Sequence, residues 1–104
     1  MDYLPEVYKG FRKHFPEISK AYGKLAAKCN EEGPLDEKSR EMIKLGIAIG
    51  LSSEGAIKSH TRRALEAGST AEEIRQAVLL ALTTAGFPSM IAAMKWTDEV
   101  LDKQ

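Results

Sequence analysis

An all-α fold of about six helices is predicted for this 104-residue chain by three observations. No stretch alternates apolar and polar residues for long enough to read as a strand. Apolar residues instead recur at helical spacing, as in Ala56, Ile57, Ala64 and Ala67. Proline, glycine and capping residues then fall about a helix length apart. Pro5 and Pro16 suit first-turn positions, where a missing N–H costs nothing, so the first helix is expected over 5–14 and the second over 16–29. Asn30-Glu31-Glu32-Gly33-Pro34 is the clearest loop. Asp36 reads as the cap of a third helix over 37–52. Ser52 or Ser53 can cap a fourth, with Glu54 in its first turn, and Gly68 is the expected residue at its end. Thr70-Ala71-Glu72-Glu73 is a Thr–x–x–Glu capping box opening a fifth helix. Gly86-Phe87-Pro88 closes that helix and starts a sixth over 88–102.

Composition narrows the function. The 15 Lys+Arg equal the 15 Asp+Glu, giving a net charge of +0. This balance argues against a dedicated nucleic-acid binder and against a polybasic membrane anchor. A single cysteine, Cys29, cannot form an internal disulfide. The opening MDYLPEVYKGF lacks the basic start and apolar run of a secretory signal. The longest apolar stretch, Leu45 to Leu51, falls far short of the roughly 20 residues that span a bilayer. A single cytoplasmic domain over 1–104 is therefore expected, since domains typically hold about 100–150 residues. There is no internal repeat and no low-complexity tract.

The third helix, with Met42, Ile43, Leu45, Ile47, Ala48, Ile49 and Leu51, is apolar nearly all round and should be buried. Gly46 and Gly50, one turn apart, would let another helix approach. The fifth and sixth helices are similarly rich in apolar residues, and Trp96, Met90 and Met94 read as core. A chain of this size buries only roughly 65% of its unfolded surface. Three such helices are hard to enclose in one subunit, so a homo-oligomer is expected.

Two residues point to proton chemistry. Glu41 is an acid that continues the stripe of Leu45, Ala48 and Ser52. A carboxyl held against apolar surface has its charged form disfavoured, which is how a general acid or base becomes useful near neutral pH. The alternative is a surface acid that complements the helix dipole or pairs with Arg40 or Lys44. His60 projects from the apolar face of the fourth helix, and imidazole is the side chain best suited to trading protons near pH 7. A satisfied core histidine is the competing reading. His14, in a polar stretch, reads as superficial. Lys58, Arg62 and Arg63 place positive charge on the same helix, either as a solvated face or as a hold for an anionic substrate's carboxylate. The two histidines and one cysteine are too scattered for a metal site. Glycine-rich nucleotide loops and a G-x-S-x-G motif are absent. Ser53 and His60 are seven residues apart, a helical rise of about 10.5 Å that excludes a nucleophile–base hydrogen bond of roughly 3 Å.

The segment LDEKSREMIKLGIAIGLSSEGAIKSHTRRALEAGSTAEEIRQAVLLALTTAGFP, within Leu35 to Met94, resembles the carboxymuconolactone decarboxylase family, which includes the AhpD-like alkylhydroperoxidases. It carries the order of a buried helix, a short capped turn, I-x-x-H, A-L-x-A-G, T-x-E-E-I and a helix ending in G-x-P. The resemblance implies an all-α helical bundle assembled as homo-trimers or homo-hexamers. Peroxidase members carry E-x11-C-x2-C-x3-H. Here the acid falls on Glu41 and the imidazole on His60, while Ser53 and Ala56 occupy the cysteine positions. Thiol chemistry needs an attacking thiolate and a resolving thiol, and Cys29 lies outside the motif. The chain therefore resembles a cysteine-free branch of the family.

The resemblance implies a non-redox lyase acting on a small carboxylated lactone or related molecule, without cofactor or metal. In it His60 donates the proton, Glu41 sets its state, and Arg62, Arg63 or Lys58 binds substrate carboxylates. The alternatives are a thiol peroxidase or disulfide reductase, disfavoured by Ser53 and Ala56, and a non-catalytic oligomeric binding protein.

Overall fold

The computed structural model describes residues 6–103. Pro5, expected to open the first helix, lies outside the described residues. Six α-helices follow in order: α1 (Glu6–His14), α2 (Pro16–Glu31), α3 (Glu37–Gly50), α4 (Glu54–Glu66), α5 (Ala71–Leu80) and α6 (Phe87–Leu101). A single 3-10 turn, Ala81–Thr83, lies between α5 and α6. No strand occurs among the described residues. The chain divides into two compact units, Met1–Pro34 and Leu35–Gln104.

The first unit contains α1 and α2. Pro16 opens α2 as expected. The Phe11 and Phe15 rings lie 6.2 Å apart across the junction, and the Arg12 guanidinium stands 6.0 Å from the Tyr8 ring centre. Neither helix has a buried residue. Phe15, Ile18, Tyr22 and Leu25 form an exposed stripe along α2. His14 is exposed as predicted.

The second unit is built from α3 to α6 around Leu45, Ile49, Ile57, Ile74, Val78 and Ala93, all nearly inaccessible. Its most extensive helix pairing is α3 with α4. Side-chain caps fix the starts of α3 and α5. Asp36 caps α3, its Oδ1 accepting the Ser39 N–H at 2.9 Å. The Thr70 box closes fully: Glu73 N–H donates to Thr70 Oγ1 at 3.1 Å, and Thr70 N–H donates to Glu73 Oε1 at 2.8 Å. The second Glu73 oxygen accepts Lys38 Nζ at 3.0 Å, tying α5 to the first turn of α3. Ser53 occupies the cap position of α4, but its side chain makes no capping bond.

Two helix ends share one closure. At α4, Gly68 takes φ +102°, Gly68 N–H donates to the Leu65 carbonyl (3.1 Å) and Ser69 N–H to the Ala64 carbonyl (2.8 Å). At α3, Ser52 stands where that glycine would, with φ +52°; its N–H reaches the Ile49 carbonyl (3.0 Å) and Ser53 N–H the Ala48 carbonyl (3.2 Å). This closure stops α3 two residues earlier than its apolar pattern predicts. After α5, the Ala81 carbonyl collects the N–H groups of Thr84, Ala85 and Gly86, tightening the chain into the 3-10 turn. Gly86, at φ +104°, then sets the entry to α6.

Burial of the apolar helices is one-sided within the chain. On α3, Leu45, Ala48 and Ile49 are buried, while Ile43, Ile47 and Leu51 are 49%, 58% and 74% exposed. Phe87, Ile91 and Met94 likewise leave an exposed row on α6, whereas Met90 is buried and Trp96 packs on the core half-buried. The close helix approach expected at Gly46 and Gly50 is not made within the chain, since no atom lies within 4 Å of where either Cβ would stand.

Candidate active site at the α3–α4 contact

Glu41 is the first residue of α3 to be buried, and it heads the stripe continued by Leu45 and Ala48. Ser52, the expected fourth member, lies past the helix end and is exposed. On α4 the inward sector holds Ile57, Thr61 and Ala64. His60 stands at the edge of that sector. The pairing of α3 with α4 brings the two together: His60 Nδ1 lies 2.7 Å from Glu41 Oε1. The contact is made within one chain, across nineteen residues of sequence.

Exposure differs between the partners. The Glu41 side chain is 9% accessible and the His60 side chain 19%. The carboxylate is therefore the more buried of the two. A separation of 2.7 Å is typical of a charge-assisted hydrogen bond. With the carboxylate accepting, Nδ1 donates, and Nε2 is the nitrogen left for other work. No hydrogen bond joins Nε2 to another of the described residues. The neighbouring Thr61 is satisfied locally, its Oγ1 donating to the Ile57 carbonyl at 2.6 Å. Such a pair can hold a proton on imidazole, balance the resulting charge, and deliver the proton from Nε2.

The three predicted cations of α4 lie in different places. At about 100° per residue, Arg63 falls about 60° from His60, on the side that also carries the half-buried Ala56 and Ser59. Lys58 and Arg62 fall about 160° away, on the far side of the buried sector. Lys58 is held by two carboxylates, Glu54 at 2.7 Å and Glu99 at 2.9 Å, and these bonds raise its pKa above the usual lysine value. Arg62 is half-buried and has an interaction partner of its own. Arg63 is exposed, and its guanidinium has no partner among the described residues.

Ser53 and Ala56 sit at the head of α4, and Cys29 is exposed on α2 in the other unit. Among the described residues no group of three or more His, Cys, Asp or Glu side chains is gathered as a metal site would require. The Lys58–Glu99 bond between α4 and α6 left no local signal, because its partners are distant in sequence.

Comparison with known proteins adds the following. The model of the carboxymuconolactone decarboxylase family matches residues 16–99. An uncharacterized protein of Methanocaldococcus jannaschii is 30% identical over 104 residues, covering 99% of this chain and 97% of its own length. The nitrosuccinic acid decarboxylase of Metarhizium robertsii is 41% identical over 68 residues, 65% of this chain and 48% of the fungal protein. The fold is similar to the crystal structure of an apo carboxymuconolactone decarboxylase family protein from Legionella pneumophila. The TM-score is 0.81 at 26% identity, with 93% of this chain and 87% of that one covered.

Proposed function

Since the chain belongs to the carboxymuconolactone decarboxylase family, we propose that it is a non-redox decarboxylase of a small carboxylic acid, a carboxylated lactone or a related molecule. The observation that carries this reading is the 2.7 Å contact between His60 Nδ1 and the buried Glu41 carboxylate. Likeness to a nitrosuccinic acid decarboxylase supports the reaction class. A lactone carbonyl and a nitro group share one property: each can accept the electron pair left when carbon dioxide departs.

In the proposed step the bond from carbon to carboxylate breaks, carbon dioxide leaves, and its bonding pair passes into the conjugated acceptor. His60, protonated, delivers the Nε2 proton to carbon as the pair returns, and Glu41 balances the imidazolium before transfer. Solvent then restores the proton. No electrons are exchanged with an outside reagent, and no cofactor is invoked. Of the α4 cations offered for the substrate's carboxylates, Arg63 is the one on the side of His60, while Lys58 is held by Glu54 and Glu99.

The test is turnover of carboxylated lactones and nitro acids by wild type and His60→Gln, followed as carbon dioxide release. A loss of about 10²–10⁴-fold with the assembly unchanged is expected; full activity in the variant overturns the reading. Thiol peroxidase chemistry is disfavoured, because Ser53 and Ala56 stand where a dithiol is needed. Peroxide consumption with a dithiol reductant should therefore be absent. Ligand binding without turnover of any such acid would instead favour a non-catalytic binding protein. We infer further that the chain works in the cytoplasm as a homo-trimer or homo-hexamer, a reading supported by the exposed apolar rows on α2, α3 and α6. Among the described residues no helix is long and apolar enough to cross a membrane.

A further inference from the structure

We propose that Lys58 is a positioning residue for His60, its bridge from α4 to α6 holding α4 in the rotation at which Nδ1 reaches Glu41. The proposal deepens the decarboxylase reading and rests on it for the effect on turnover. Four acid–base side-chain contacts join the helices of the second unit in a ring. Lys38 Nζ meets Glu73 Oε2 at 3.0 Å, from α3 to α5. Arg75 Nε stands 3.6 Å from Asp98 Oδ1, from α5 to α6. Lys58 Nζ meets Glu99 Oε1 at 2.9 Å, from α4 to α6. His60 and Glu41, at 2.7 Å, close the ring from α4 to α3. The site pair is thus one link of a circuit that passes through every helix of the unit.

Lys58 is singled out within the ring by its burial and by its place on α4. Its side chain is 22% accessible, against 41% for Lys38 and 53% for Arg75. A second carboxylate, Glu54 on the same helix, holds the ammonium at 2.7 Å and directs it. Lys58 and His60 flank the buried sector of α4, about 160° apart. The helix is therefore tied on both sides, to α3 through His60 and to α6 through Lys58, and paired ties resist its rotation. Between them the inward sector holds Ile57, Thr61 and Ala64, of which only Ile57 is a large apolar side chain. Side-chain atoms lie about 5–6 Å from a helix axis, so a turn of about 10° moves them by about 1 Å. A shift of that size breaks a 2.7 Å contact. At a reacting group it costs up to about a hundredfold in rate. Ion pairs near the surface add little to stability, so the effect of this bridge is expected in the placement of His60 rather than in folding.

The test reads His60 directly, by nitrogen-15 NMR of its ring in the full chain at a pH where the imidazole is neutral. In wild type the carboxylate should keep the proton on Nδ1 and leave Nε2 bare. Lys58→Met should mix the two tautomers, and Glu99→Ala should do the same. The double variant should go no further than either single one, since both break one bridge. Lys58→Arg should restore the wild-type shifts. Glu54→Ala should leave them unchanged, because Glu54 stands on α4 itself and spans no gap between helices. In the decarboxylation assay, Lys58→Met should lower kcat by about tenfold or more with KM nearly unchanged. Wild-type ring shifts in Lys58→Met or in Glu99→Ala overturn the proposal, and so does an equal change in Glu54→Ala. The ring shifts need no substrate, so they stand apart from the His60→Gln assay. A chain that decarboxylates nothing could still show Lys58 placing His60, and unmoved shifts would leave the decarboxylase reading in place.

Discussion

At the scale of single residues, the Glu41–His60 pair combines a buried acceptor with a donor nearer the surface. Removing the charge but keeping the shape separates its proposed chemical role from packing. Glu41→Gln should leave the fold intact and retain a hydrogen bond to Nδ1, while the imidazolium loses its balancing charge. Decarboxylation should then slow, with kcat falling more than KM rises. A variant that loses stability but keeps the wild-type kcat would assign Glu41 to structure alone. Both members were visible in the sequence as polar residues on apolar helix faces. Their contact was not, because it depends on how two helices align across the Leu51–Ser53 turn. The sorting of Lys58, Arg62 and Arg63 was partly legible, since helical phase alone separates Arg63 from the others. The engagement of Lys58 by Glu99 was not, because it comes from α6.

At the scale of elements, caps and turns account for most boundaries, and their chemistry predicts how each responds to change. Ser52 holds a left-handed conformation that costs a side-chain-bearing residue about 1–2 kcal/mol, partly offset by the greater chain entropy that glycine loses on folding. Ser52→Gly should therefore stabilise the protein by about 0.5 kcal/mol, and Gly68→Ala should destabilise it by about 1 kcal/mol, both measured by urea unfolding. Acid should act through the caps. Hydrogen bonds from Thr70 and then Lys38 lower the Glu73 pKa from 4.5, and bonds from Ser39 lower that of Asp36 from 3.8. A depressed folded pKa means a contribution fully present above the unfolded value and lost as pH falls through the folded one. Stability should thus decline below about pH 4.5, and less steeply in Glu73→Gln, as followed by helical circular dichroism. Lys58 has the opposite sign: its raised pKa makes its contribution present below about pH 10.5 and lost above it. The capping box and Gly68 were plain in the sequence because each is a local rule satisfied within a few residues. The early end of α3 and the 3-10 turn were not, because backbone closure overrode an unbroken run of apolar residues.

At the scale of the whole molecule, the all-α fold was legible from periodicity, and the family pattern read from the sequence falls within the second unit. The sequence also indicated more apolar helix surface than one chain can hide, and Ile43, Ile47 and Leu51 show where part of it lies. If the proposed self-association covers that row, a charge placed within it should dissociate the protein without unfolding it. Ile47→Glu is expected to shift the mass by light scattering from oligomer to monomer. Its cost to the chain itself should stay within about 0.5 kcal/mol, since the residue is solvated there. An unchanged mass would place the contact elsewhere. The first unit carries a calorimetric consequence. A nine-residue α1 and a sixteen-residue α2 that bury no residue add little to the heat capacity of unfolding, which tracks apolar surface removed from water. An isolated helix as short as α1 is also marginal in water. Covering the α2 stripe on association would therefore appear as a negative heat-capacity change, accompanied by a gain in helical signal as concentration rises.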